Sequence, residues 1–377
     1  MTAKKVSKFL KAWATFTGTI IGVGIFGLPY VAMKAGFFVV LFYFPIIIFL
    51  AIVVHSLLGE VARDTYKIAR IPGYAEEYIG PKTKNFSFVV SSLSLVGALL
   101  AYLIIGGEFL YLFLKDYFGG SPLFYTILFF LFGAFLIYRG IEIISRFELV
   151  MVIIFVFILL FFLWRAIPFI KFENFLTFDP RFLTFPYGVL LFALWGIALI
   201  PEVKEIVERD QKKLKWVIVL GISSAALCYL IFIFAILGAC GPNTSENAIS
   251  GFAFAIGDKI IGIGYLCGLI TTFTSFIALG LTLKKIFWYD FKIPKGISWA
   301  LTCFIPLFLY FLGLKNFIEV IGFTGAIALG LEAIIVIFIY KNFIQKRFQR
   351  PTPWWLYPLV IALIVGISFE IIYFLSK

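Results

Sequence analysis

Apolar residues run along this chain in long blocks separated by short polar connections. Eleven blocks can be marked off, at about 10–35, 37–59, 86–114, 122–139, 143–164, 185–207, 215–239, 257–284, 296–314, 316–340 and 354–375. Roughly twenty apolar residues carry a helix across the hydrocarbon of a bilayer, so the pattern predicts an all-α polytopic membrane protein with eleven spans. Two blocks are interrupted. The first contains GTIIGVGIFGLP, Gly18 to Pro29, with glycines at Gly18, Gly22, Gly24 and Gly27. Glycine and proline weaken a helix interior, so span one is expected to break there. The sixth, Phe185 to Asp210, loses its apolar run at Trp195-Gly196 and resumes at Pro201, a residue suited to the first turn of a new helix. Unwound backbone at membrane depth is tolerated only where it faces a cavity or a bound solute. Both breaks therefore mark a binding site halfway through the bilayer. Their separation by five spans points to an inverted repeat, because an odd number of spans reverses the second copy. The expected copies are 1–164 and 185–340, with 354–375 added as an eleventh span, all within a single membrane domain.

Composition agrees with this picture and narrows it. The chain is 62% hydrophobic and 14% charged, with a mean hydropathy of +1.06, far from a soluble domain. A net charge of +12 would suggest nucleic acid in a soluble protein; here 24 of the 32 basic residues fall in alternate loops. By the positive-inside rule that places the N-terminus in the cytoplasm and the C-terminus outside, in the plasma membrane, with the lipid bilayer as partner and no nucleic acid. Lys4, Lys5, Lys8 and Lys11 resemble the basic start of a signal peptide, but the apolar run after them is too long and lacks a small-x-small cleavage site, so it is expected to be retained. The inner loop Arg63 to Lys82 suits an interfacial helix. The outer loops Arg165 to Thr184 and Gly241 to Gly251 either cap an entrance or simply connect spans. Cys228, Cys240, Cys267 and Cys303 are scattered, which offers no disulfide framework or metal cluster.

Three stretches together resemble a known group. GTIIGVGIFGLP in span one, PGYAEEYIG in the first inner loop and LWGIALIPEV in span six are similar to the amino acid/polyamine/organocation transporter superfamily, nearest the auxin and aromatic amino acid permease types. The resemblance implies a leucine-transporter-type bundle of five plus five spans, alternating access, and secondary active transport of an amino acid driven by Na⁺ or H⁺, with no other cofactor.

A zwitterion carried into such a site needs partners for both charges. Free N–H groups at the start of a half-helix suit the carboxylate and free C=O groups at the end of one suit the ammonium. The expected amide cradle is Ile21, Gly22, Val23 and Gly24, and the carbonyls are those of Leu194, Trp195, Gly196 and Ile197. Tyr102 in span three either closes over the carboxylate or packs as an ordinary aromatic; Trp195 either stacks on the substrate or packs. Ile25, with Phe26 and Phe192, suggests room for an apolar side chain. No carboxylate is adjacent in sequence to either break, which argues for a neutral, large apolar or aromatic amino acid and against cationic ones.

In span eight Thr271, Thr274 and Ser275 lie at i, i+3 and i+4, on one helix face. With the carbonyls of Gly18 and Ile21 they would make an oxygen cage for Na⁺, matching the sodium position of sodium-coupled members of the resembled fold. The alternative is that these hydroxyls bond back to their own helix. The lysine that proton-coupled relatives often place in span five is absent here. Glu108 and Glu332, as intramembrane acids, are the candidates for a rival proton relay. Glu202 is expected to support a helix start and His55 to pack near the interface. A receptor that binds without transporting would share the same site. A membrane enzyme would not: one histidine, no HExxH and no acid dyad leave it little chemistry.

Overall fold

The computed structural model describes residues 3–65, 69–140, 145–257 and 262–375, with side chains from residue 8 onward and, in the third stretch, from residue 149. Lys67 and the first residues of the fifth apolar block thus lie outside the described residues, as do the side chains of Lys4, Lys5 and Arg146. All regular structure among the described residues is helical. The helices are α1 (Ala3–Ile20), α2 (Gly24–Ala35), α3 (Phe37–Asp64), α4 (Ile71–Tyr78), α5 (Pro81–Phe118), α6 (Pro122–Arg139), α7 (Ser145–Ala166), α8 (Pro186–Ala193), α9 (Ile200–Ile206), α10 (Gln211–Cys240), α11 (Ile249–Ile256), α12 (Gly262–Lys285), α13 (Lys295–Phe311), α14 (Phe317–Phe323), α15 (Gly330–Phe348) and α16 (Leu356–Leu375). Eight helices are long and apolar enough to cross a membrane, and α1 with α2, bent by 48° at their junction, makes a ninth span. The 17-residue α13 and the α8–α9 pair give the two remaining apolar blocks their counterparts.

The surface explains why such a sequence suits lipid rather than water. On α3, Phe38, Phe42, Ile46 and Phe49 stand exposed along one stripe, and on α6 Phe124, Leu128, Leu131 and Phe135 do the same. In water these patches would drive aggregation; in hydrocarbon they meet their own solvent. Association of helices then rests on close packing rather than on the hydrophobic effect. Gly106 receives the ring of Phe129, Gly133 that of Phe276 and Gly268 that of Phe109. α1 packs on α7 and α10, α2 on α8 and α10, and α5 on α12, which sets both broken spans at the centre of the bundle.

The interfacial helix expected after span two is α4, and its residues Ile71, Tyr74 and Tyr78 are buried against the bundle. Burial, with the charge of Glu202 beside it, pushes the Tyr74 phenol above its ordinary range, so it stays a neutral hydroxyl. At the opposite end lie α11 and the segment after α7, where Asn174 donates to the Gly238 carbonyl at 2.7 Å and Phe175 stacks on Phe234. Span ten carries a feature the apolar pattern does not reveal. Between α14 and α15 the chain takes a π-helical course over Thr324–Leu329, a form often found beside functional sites. There the main chain of Gly188 in α8 comes so close to Gly325 that no side chain would fit.

Candidate substrate and ion site

The break in span one leaves Ile21, Gly22 and Val23 between α1 and α2; that in span six leaves Leu194, Trp195 and Gly196 before a 3-10 turn at Ile197–Leu199. Pro201 stands in the first turn of α9, as its chemistry requires. The two breaks face each other. A Cβ on Gly24 would lie 2.7 Å from Cα of Ala193, so the first residue of α2 and the last of α8 touch main chain to main chain. Only glycine permits that approach.

Buried main-chain groups must find partners, and following them shows what remains open. Thr17 O accepts from Ile21 N at 2.8 Å and Ile20 O from Gly22 N at 2.7 Å. Leu190 O accepts from Leu194 N at 3.0 Å, Phe192 O from Trp195 N at 3.3 Å and Gly196 O from Leu199 N at 3.1 Å. Ile197 O accepts from the N–H of Ile200. Among the described residues no main-chain N–H reaches the carbonyls of Gly18, Ile21, Leu194 or Trp195. Of the four carbonyls expected in span six, two are therefore open and two close the 3-10 turn.

Two buried side chains hold the breaks in shape. Tyr229 of α10 donates its hydroxyl to Ile20 O at 2.6 Å and Ala193 O at 2.9 Å, the terminal carbonyls of α1 and α8. His55 of α3 accepts from Gly196 N at 3.0 Å through Nε2, while Nδ1 faces Ala51 O at 2.7 Å. A ring nitrogen against a carbonyl must carry hydrogen and one that accepts an N–H must not, which fixes the neutral Nδ1–H tautomer. His55 also meets the Trp195 ring edge-on at 4.9 Å between centroids. It is fully buried, packed as expected, but its partners are the span-six break, and α3 runs on nine residues past it to Asp64. Tyr229→Phe should lower stability by about 1–3 kcal/mol, the cost of leaving the buried Ala193 carbonyl unpaired, since Ile20 O keeps the Gly22 N–H; a detergent melting curve matching that of the unmodified protein would contradict the clamp.

Two small cavities lie beside the breaks. One, of about 30 Å³, is lined by Gly18, Ile21, Thr271, Thr274 and Ser275, the five residues proposed for the cation, with an apolar wall from α7 that includes Val152 and Phe155. Thr271 donates to Cys267 O at 2.9 Å and Thr274 to Thr271 O at 3.0 Å. That is the back-bonding named as the alternative, yet the two readings are compatible. A hydroxyl that binds a cation through its lone pairs has to place its hydrogen elsewhere.

The second cavity, of about 40 Å³, lies between the breaks and is lined by Gly24, Tyr102, Trp195, Gly196, Ile197 and Glu332, among others. It has room for about three waters, so this conformation is closed around its centre. Gly22 faces the Tyr102 hydroxyl, which occupies the space a side chain at Gly22 would need. The same hydroxyl neighbours the main chain of Val23 and the hydroxyl of Ser275. Tyr102 thus stands between the two cavities. Of the residues expected at the substrate, Gly22, Val23, Ile25 and Leu194 line neither cavity and are buried.

Glu332 of α15 accepts from Ser91 at 2.7 Å and from the Trp195 indole at 3.2 Å, and is 4% exposed. This corrects the argument that no carboxylate adjoins a break, since span ten folds its acid onto span six; that ground for excluding cationic substrates falls. Glu108 lies elsewhere, accepting from Asn247 at 2.6 Å at the α11 end. The 17 residues of α5 between Ser91 and Glu108 span roughly 25 Å, so the two acids do not form one relay. At the α4 end Arg70 pairs with Glu202 at 2.9 Å and Lys8 with Glu208, tying the α4 and α1 segments to span six. Glu202 therefore does more than support a helix start. Tyr229 and Ser91 carry no local sequence signal that singles them out.

A profile of the tryptophan/tyrosine permease family matches residues 5–376. The chain belongs to that family. The permease is also 23% identical over 346 residues to "Glutamine transporter 2" of Aliivibrio fischeri (strain ATCC 700601 / ES114), covering 89% of each chain. Among solved structures, MhsT in complex with L-phenylalanine superposes with a TM-score of 0.69 at 16% identity, covering 98% of both chains. Mhp1, a nucleobase-cation-symport-1 family transporter with bromovinylhydantoin bound, superposes at 0.71 with 13% identity, over 97% of this chain and 91% of that one. At such identities the likeness is one of fold, here the leucine-transporter type. The permease is accordingly a multi-pass membrane protein of an amino acid transporter family, and the resemblance carried by the three motifs holds at that level.

Proposed function

We propose that this permease is a secondary active transporter that moves a neutral, large apolar or aromatic amino acid across the plasma membrane by alternating access, coupled to Na⁺. The observation that carries the reading is the meeting of two broken helices across a cavity, one offering the N-terminal end of α2 at Gly24 and the other the open carbonyl of Trp195. The substrate carboxylate takes the amides of Val23 and Gly24, beside which the Tyr102 hydroxyl now stands; the other two of the expected cradle are already committed, Ile21 N to Thr17 O and Gly22 N to Ile20 O. The ammonium faces the open carbonyl of Trp195, with Glu332, bonded to the Trp195 indole, on the same cavity. Apolar walls from Ala98, Phe192 and Leu329 favour a hydrophobic side chain, as does the family. Trp195 and Tyr102 must both swing aside to admit it. We further infer membership of the amino acid/polyamine/organocation superfamily, repeats at 1–164 and 185–340 with 354–375 outside them, and a cytoplasmic N-terminus, supported by the basic residues clustered at the α4 end.

The test is uptake into liposomes. Purified protein should accumulate tryptophan, tyrosine or phenylalanine under an inward Na⁺ gradient, and accumulation that survives collapse of that gradient would defeat the coupling. A melting-point screen of the twenty amino acids in Na⁺ and K⁺ salts identifies the substrate, because a ligand that binds the folded state raises its melting point. Replacing Thr274 and Ser275 together by alanine should weaken Na⁺ dependence at least tenfold, about 1.4 kcal/mol. Unchanged dependence would move the reading to a proton, with Glu332 as its carrier.

A further inference from the structure

Span eleven contains a buried acid that the proposed transport site does not use. Glu370 of α16 is 2% exposed although it sits in a membrane-spanning helix. Two glycines admit it. The ring of Tyr187 in α8 fills the notch at Gly366, one turn before Glu370, and a Cβ on Gly322 in α14 would lie 2.9 Å from its Oε1. Among the described residues no hydrogen bond or ion pair reaches the carboxyl, and no charged group stands against it. The Tyr187 hydroxyl is likewise buried and has no partner. Beyond it stands Tyr43 of α3; Tyr373, one turn after Glu370, packs on Phe185, and α14 carries Glu319 one turn before Gly322. Two unsatisfied polar groups are thus packed where α16 meets the first half of broken span six.

An isolated charge buried at membrane depth is among the most costly arrangements a protein can hold, whereas a neutral acid beside a hydroxyl is affordable. We propose that Glu370 and Tyr187 form a proton-binding site, occupied while α16 lies against α8 and α14 and emptied into water when α8 moves away. On release the O–H bond of the carboxyl breaks, the proton passes to water and a carboxylate remains. Tyr187 is the second residue of α8, directly after the 167–185 segment, and Glu370 is near the C-terminal end of α16, where Tyr373 packs on Phe185, so exchange is with the solution on the side of that segment. Acid on that side therefore holds α8 in the packed position and alkali frees it. This rests on the transporter reading above, in that α8 must move during transport.

The test uses the full chain in vesicles of fixed internal pH. Exchange of labelled amino acid at equal pH on both sides establishes transport by itself. With the outer pH then varied from 5 to 9, the unmodified protein should change its exchange rate at least fivefold, and Glu370→Gln should stay at the low-pH rate throughout. Tyr187→Phe keeps the acid and should shift the midpoint of the profile. A flat profile in the unmodified protein, or an unaltered one in Glu370→Gln, overturns the site while leaving transport intact. Should Glu370→Gln fail to fold, dicyclohexylcarbodiimide labelling of the unmodified protein decides. It reacts with a protonated carboxyl, so the Glu370 peptide should be labelled at pH 5 and lose most of its label by pH 9. Equal labelling at both would again overturn the proposal.

Discussion

Gly22→Leu is expected to abolish amino acid binding, a loss of a hundredfold or more, about 2.7 kcal/mol, in a protein that still melts cooperatively in detergent. The side chain would meet the Tyr102 hydroxyl, the far end of a side chain that can rotate away, and would then fill the space beside the open amides of Val23 and Gly24. Gly24 is the wrong residue for this experiment. Its added atoms would collide with the Ala193 main chain, so loss of binding there would be confused with loss of fold. Isothermal titration with the amino acid found in the melting screen reads the effect, and unmodified affinity in Gly22→Leu would remove the cradle from the mechanism.

The second large effect is expected at His55. His55→Leu leaves the Gly196 N–H without an acceptor in a site closed to water, at about 1–3 kcal/mol, and removes the ring contact with Trp195, worth roughly another 1 kcal/mol. The break in span six then loses its brace, and transport should fall more than tenfold together with the melting temperature. His55→Gln can again accept from Gly196 and should recover a good part of both. If His55→Leu transported and melted as the unmodified protein does, the brace would be no more than a neighbour.

The positions of the two breaks were legible because glycine and proline act locally, through backbone conformation, and GTIIGVGIFGLP concentrates them. The hydroxyl face of span eight was legible for a similar reason: helical spacing alone puts Thr271, Thr274 and Ser275 side by side. What faces those stretches was not. Tyr229 is 209 residues from Ile20 and Glu332 is 137 from Trp195, and in a bundle whose spans are all apolar no periodic pattern says which helix neighbours which. The π-helical course at Thr324–Leu329 escapes for a related reason. It coincides with the contact of Gly325 with Gly188, made in tertiary packing and invisible to local propensity.

Tyr102 stands between the two cavities, its hydroxyl beside Ser275 on one side and Val23 on the other. Anything that repositions Ser275 alters what that phenol does at the amides, and anything that displaces the phenol alters Ser275. On the proposed reading of the two cavities, by whatever factor a bound cation raised the affinity for the amino acid, the amino acid would have to raise the affinity for the cation by the same factor. One side chain would be enough to make each passenger a condition of the other's boarding.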